Sequence, residues 1–134
     1  MLKNKLLKDA ADICISAINS CLPEKGVKDA LKDLGHKGDI YLVSVGKASF
    51  TMAKAAAETV DIKEGIVISK YGHIKGEIEK VRCFEAGHPI VDENSIAATG
   101  EVIRMCSGLK NTDTVLFLLS GGANALFEKP LINL

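Results

Sequence analysis

The sequence predicts an α/β protein, a sheet with helices on its faces. Three observations predict it. Short apolar runs rich in β-branched residues, too short for helices, recur along the chain at Ile40–Val45, Gly65–Ser69 and Thr114–Leu119. Longer stretches with helical periodicity lie between them. Polar or glycine-bearing loops follow each run, and in parallel α/β sheets such loops gather beyond the carboxyl ends of the strands, where ligands bind.

The elements follow in order. Lys3–Ser20 is an amphipathic helix in which Leu6, Ala10, Cys14, Ala17 and Cys21 recur at helical spacing, with Ile13 and Ile18 beside them. Pro23 and Glu24 suit the first turn of a shorter helix running through Leu34, and Gly35 suits its stop. Asp39–Val45 is a buried strand, broken by Gly46 and followed at once by Lys47. Ala48–Val60, rich in alanine, favours helix. Asp61–Glu64 reads as a polar turn and Gly65–Ser69 as the next strand. Lys70–Lys80 is polar and too irregular for a crossover helix, and Val81–Glu85 is a third strand of undetermined direction. Ala86–Glu93 is a loop. Asp92 or Asn94 caps a helix over Ser95–Leu109, with Ile96, Val102, Cys106 and Leu109 on its inner face. Thr114–Leu119, TVLFLL, is the most apolar strand, expected to be central and covered on both sides. It runs into Ser120-Gly121-Gly122-Ala123-Asn124. The apolar residues Leu126, Phe127, Leu131, Ile132 and Leu134 crowd the end, a pattern expected of the front part of a longer protein.

Composition narrows the classes. A 134-residue chain with 47% hydrophobic residues can bury one core. Seventeen basic residues balance seventeen acidic ones, which argues against a general nucleic-acid or membrane-surface binder. The first twenty residues do not read as a signal peptide, and no apolar run is long enough to span a bilayer. Cys14, Cys21, Cys83 and Cys106 show no paired spacing and read as reduced thiols of a cytoplasmic protein.

Two corners carry the chemistry. At Gly46-Lys47 a strand, a tight turn and a helix start bring an ammonium group beside unpaired backbone N–H groups, a place for anions. The turn is not a P-loop, because Tyr41 stands where that motif has glycine and Ala48 where it has serine or threonine. At Ser120-Gly121-Gly122 the glycines allow successive amides to converge on an anion, and Asn124 caps the following helix or contacts a ligand. His73 and His88 lie in loops without metal-ligand spacing, so no metal site is assigned. Glu85 and Asp92 flank His88, and either could serve as a base or hold magnesium through water, with a plain helix cap as the simpler role for Asp92. A hydrolase triad fails, since Leu118 stands where GxSxG has glycine.

Four segments, SVGKASFTMAKAAAE (44–58), ISKYGH (68–73), FEAGHPIVDENS (84–95) and LFLLSGGANAL (116–126), together resemble the N-terminal domain of the glycerate 2-kinase family. The resemblance implies a Rossmann-like three-layer α/β/α domain with a mostly parallel sheet, here incomplete. Residues 1–134 would be the front part of that domain, without the smaller C-terminal domain of hydroxypyruvate reductase-like proteins. It implies ATP-dependent phosphorylation of D-glycerate to 2-phosphoglycerate with Mg²⁺, the partners being glycerate and nucleotide, and leaves room for a homo-oligomer. Carried over by motif, Lys47 contacts substrate and the transferring phosphoryl group, while Gly46, Ser120, Gly121, Gly122 and Asn124 lie at the anion site. Lys70, His73, Glu85, His88 and Asp92 match further motif positions. Ala123 and Asn124 depart from the family's third glycine and serine, and a methyl at 123 limits close phosphate approach. With one partial domain the site would be incomplete. The alternative reading is a non-catalytic sugar-phosphate-binding module of the sugar isomerase type, which also uses strand-end serine and glycine loops.

Overall fold

The computed structural model describes residues 2–130. Its elements are α1 (Leu2–Ser20), α2 (Pro23–Leu31), β1 (Ile40–Val45), α3 (Ser49–Ala57), β2 (Ile62–Lys70), β3 (Val81–Ala86), α4 (Glu93–Ser107), β4 (Thr114–Leu119) and the short α5 (Ala123–Leu126). The strands form a four-stranded sheet in the order β3-β2-β1-β4, and every pairing is parallel. The expected three-layer α/β/α arrangement is the one observed. On one face, Ile40, Leu42 and Val67 pack against Val27 and Leu31 of α2 and Phe50, Ala53 and Ala56 of α3. On the other, Val43, Val45, Ile66 and Ile68 pack against Ala98, Val102 and Met105 of α4 and Leu126 of α5. The core strands β1 and β2 are buried on both faces, which is why they read as unbroken apolar runs.

Several expectations change. β2 begins at Ile62, so the supposed polar turn at 61–64 is mostly strand: its lysine and glutamate project beside Asp39 and Arg82 in ion pairs at the sheet's end. The inner face of α4 is Ser95, Ala98, Thr99, Val102 and Met105, whereas Ile96 is exposed. Small residues, not the bulkiest ones, let this helix lie close to the sheet. β4 is not central. It is an edge strand among the described residues, and its exposure alternates along its length, with Val115, Phe117 and Leu119 open to solvent. Apolar content reports how much a strand can bury, not where it stands in the sheet. α1 forms, but its apolar stripe is exposed at Leu6, Ile13 and Ile18. Leu131, Ile132 and Leu134 lie outside the described residues.

No helix among the described residues is long and apolar enough to cross a membrane. The cysteines are free thiols. Burial raises the pKa of Cys83 and Cys106.

Candidate functional site

Strand order locates the site. In the order β3-β2-β1-β4 the chain first moves one way from β1 and then returns to the other side of it. The reversal lies between β1 and β4, and in doubly wound sheets ligands bind beyond the carboxyl ends of the strands at such a point. The loops flanking it are Gly46-Lys47-Ala48 and Ser120-Gly121-Gly122, the two corners singled out in the sequence. Because all pairings are parallel, the loops after β2 and β3 reach the same rim.

Hydrogen bonds tie the two corners together. Lys47 N–H donates to the Gly121 carbonyl at 2.9 Å, and Ser120 N–H donates to the Val45 carbonyl at 2.9 Å. The Ser120 hydroxyl accepts from Ala48 N–H at 3.0 Å and donates to the Val45 carbonyl at 3.3 Å. This close approach requires glycine at 46. Its φ is +120°, and a β-carbon there would lie 2.2 Å from Ser120 Oγ and 2.5 Å from the Ser120 carbonyl oxygen. Buried hydroxyls extend the seam, Ser69 donating to the Gly46 carbonyl at 3.1 Å, Ser49 to Ile68 at 3.1 Å and Ser44 to Ser49 at 2.9 Å. These serines end apolar strands or open the helix, and sequence reasoning missed them. Their signal was a hydroxyl inside an otherwise apolar run.

One expectation is corrected here. The amides of the turn from β1 into α3 are not open to a ligand: those of Lys47 and Ala48 bond the 120 loop, and Ser49 N–H bonds the Gly46 carbonyl at 3.1 Å. On the facing loop, the Gly121 and Gly122 amides make no hydrogen bond among the described residues. Gly122 takes φ +90°. Lys47 reaches across to this loop. A β-carbon on Gly121 would meet Lys47 Cε at 3.7 Å, and one on Gly122 would meet it at 3.5 Å. The same position at 122 would lie 2.7 Å from the edge of the His88 ring. Lys47, His88 and the Gly121-Gly122 backbone therefore stand together at one rim, and Lys47 is exposed with no ion pair among the described residues.

His73, Glu85 and Asp92 brace this rim. His73 Nδ1 donates to the Lys47 carbonyl at 3.1 Å, which requires its proton on that nitrogen. Glu85 Oε1 accepts from the His73 and Ile74 amides, each at 3.1 Å, and so pins the loop after β2. Asp92 is the N-cap of α4, accepting from Ser95 N–H at 3.0 Å and from the Ser95 hydroxyl at 3.1 Å. It also accepts from the Tyr71 hydroxyl at 2.6 Å. That phenol first, then the Gly87 and Ser95 backbone groups, hold its carboxyl down at about 2. Asn94 Nδ2 donates to the Tyr71 oxygen at 2.7 Å. Tyr71 and Asn94 belong to the same rim, and no local pattern pairs them in the sequence. Lys70 ends β2 half-buried, and Asn124 stands exposed in the first turn of α5. Gly122, not Asn124, is the residue before that helix.

Among the described residues no three acidic, histidine or cysteine side chains cluster as a metal cage. The nearest carboxylates, Glu85 and Asp92, are already engaged with protein donors. The rim sets one lysine side chain opposite the backbone of two glycines.

Comparison with known proteins agrees with this fold. The chain is 45% identical over 128 residues to the D-glycerate 2-kinase of Thermotoga maritima, covering 94% of itself and 30% of that protein. It is 39% identical over 99 residues to the glycerate 2-kinase of Pyrococcus horikoshii, covering 74% of itself and 22% of that protein. The crystal structure of glycerate kinase from Thermotoga maritima superposes with a TM-score of 0.90 at 45% identity, over 96% of this chain and 31% of that one. The chain spans less than a third of the length of these relatives. Residues 9–134 match the family described as "Domain of unknown function (DUF4147)", and the chain belongs to it.

Proposed function

We propose that this chain is the front portion of a glycerate 2-kinase and carries part of the site that transfers a phosphoryl group from ATP to D-glycerate, giving 2-phosphoglycerate. The observation that carries the reading is the convergence of Lys47 with the Gly121 and Gly122 amides across the reversal of strand order. Phosphoryl transfer asks a protein mainly for positioning and for positive charge around the transferred oxygens. Lys47 supplies the charge, and the two amides supply fixed donors. Ser120 acts differently from the sequence-based expectation. Its hydroxyl holds the Lys47 loop against its own and is not directed at an anion. His88, against Gly122, borders the substrate, while His73, Glu85 and Asp92 hold the loops in place. Lys70 and Asn124 stand at the edge of the same rim, within reach of a larger ligand.

The residues present fit a phosphate or carboxylate. They do not fit a protein-held magnesium ion, so Mg²⁺ would arrive on the nucleotide phosphates, and no step is assigned through it. When bound, ATP supplies the phosphoryl group. This chain's part is to grip oxygens with Lys47 and the two glycine amides, and to keep the loops closed over them.

The test is glycerate- and ATP-dependent formation of 2-phosphoglycerate by the polypeptide that holds the whole site, with and without Lys47→Ala. Loss of turnover in the variant with the fold intact supports the reading. Tight sugar-phosphate binding without ATP turnover would replace it with the sugar-isomerase-type module.

A further inference from the structure

We propose that Tyr71 is a positioning residue: its phenol fixes the loop that carries His88, and so sets His88 opposite Lys47 across Gly122. The proposal rests on the reading of that rim as the substrate site. The parallel ladder between β2 and β3 ends where Lys70 pairs with Ala86. Tyr71 is the next residue, and its side chain carries the connection one step further. Its hydroxyl donates to Asp92 Oδ2 at 2.6 Å and accepts from Asn94 Nδ2 at 2.7 Å.

These bonds are not needed to start α4. Asp92 Oδ1 alone accepts from Ser95 N–H at 3.0 Å and from the Ser95 hydroxyl at 3.1 Å, and Ser95 is fully buried. Nor do they belong to a core, since Tyr71 is 49% exposed. What they add is a tie between the turn after β2 and the segment 87–92. Residues 88–91 make no backbone-to-backbone hydrogen bond among the described residues, and Ile90 is 81% exposed. The segment is held at its two ends. Gly87 lies close against the far end: a β-carbon on it would come within 3.0 Å of the Asp92 carboxylate and 2.4 Å of the Ile90 carbonyl oxygen. Asp92 is the other anchor, and it is the group that Tyr71 grips. His88 stands between the two, its ring edge 2.7 Å from where a β-carbon on Gly122 would lie.

The same turn reaches the other side of the gap. Two residues after Tyr71, His73 Nδ1 donates to the Lys47 carbonyl at 3.1 Å, and Glu85 accepts from the His73 amide at 3.1 Å. The β-carbon position on Gly122 also lies 3.5 Å from Lys47 Cε. Tyr71-Gly72-His73 therefore holds the His88 loop by its first residue and the Lys47 loop by its third. Gly72, at φ +76°, makes the bend that sends the two side chains to different loops.

The test uses Tyr71→Phe in the polypeptide that holds the whole site. The ring stays and only an exposed hydroxyl goes, so the melting temperature should fall by less than about 3 °C. The ring NMR signals of His88 should move or broaden, while those of His36, before β1 at the opposite end of the sheet, stay in place. KM for glycerate should rise about fivefold or more with kcat held within about twofold, because the orientation of a group bordering the substrate is lost and no transition-state contact is. In a His88→Ala background Tyr71→Phe should have no further effect on KM. An unmoved His88 signal, an unchanged KM in a polypeptide that turns over, or an undiminished effect of Tyr71→Phe without His88 would overturn the proposal. The His88 signal needs no turnover. If it moves while no 2-phosphoglycerate forms, the kinase reading fails and the placement of His88 by Tyr71 stands.

Discussion

The two ends of the sheet are built from different materials. At the amino ends of the strands, charges meet in pairs: Arg82 with Glu64 and Glu101, Arg104 with Glu101, Lys80 with Asp61 and Lys63 with Asp39. At the carboxyl ends the seam is uncharged, made of serine hydroxyls and backbone groups at 2.9 to 3.3 Å. The rim carboxylates Glu85 and Asp92 there accept from amides and hydroxyls. Lys47 stands among them with no ion pair among the described residues. Paired charge at one end suits solvation. An unpaired cation against a rigid neutral seam suits an anion that comes and goes.

The sharpest way to break the contrast is Gly46→Ala. It forces a methyl into the Ser120 backbone and hydroxyl at an unfavourable φ, so a loss above about 2 kcal/mol is expected in urea unfolding. Gly72→Ala is the control. Its φ is +76°, but nothing lies within 4 Å, so only the backbone cost remains, about 1 kcal/mol. Equal losses at the two positions would mean that the seam is not close-packed.

Lys47→Ala separates stability from chemistry. The exposed side chain should change stability by less than about 0.5 kcal/mol. Turnover of the complete polypeptide should fall by roughly 10² to 10³, the usual cost of removing one stabilising donor at a charged transition state. A variant that unfolds in proportion to its lost activity would instead make Lys47 a bracing residue.

The order of elements was legible because apolar runs and helical periods alternate from Ile40 onward, except between β2 and β3, which a loop joins. The two glycine turns were legible because glycine beside lysine, and paired glycines after an apolar strand, are local signals. Strand order was not. Nothing in TVLFLL distinguishes an edge strand whose flank is open from a central one, since both need apolar residues. The use of the Lys47 and Ala48 amides was hidden for a related reason: their partners lie more than seventy residues away, in the 120 loop. Tyr71 and Asp92 were likewise separated by 21 residues of strand and loop.

Asp92 gives a smaller and pH-dependent effect. Its folded-state carboxyl is lowered to about 2, against an unfolded value near 4. A depressed carboxylate contributes stability that is complete above the unfolded value and is lost as pH falls through the folded one. The acid limb of wild-type stability between about pH 4 and 2 should therefore be shallower in Asp92→Asn, followed by thermal melting across that range. At neutral pH the same variant should melt somewhat lower, because an amide oxygen remains as the cap while the bond from Tyr71 weakens. An unchanged acid limb would remove Asp92 from the account of how the loop after β3 is held.

The smallest effect belongs at the other end of the sheet. Glu101 accepts from both Arg82 and Arg104, and its side chain is 25% exposed while theirs are 42% and 69% exposed. Such a partly wet network gains little over solvated ions. Glu101→Gln should cost less than about 1 kcal/mol in urea unfolding, and the difference should shrink further as salt is raised toward about 1 M, where the Debye length falls to about 3 Å. The Gly46→Ala loss should not shrink, because it is steric and conformational. If both losses fade with salt in parallel, the carboxyl rim is held by charge after all, and Lys47 has a partner within it.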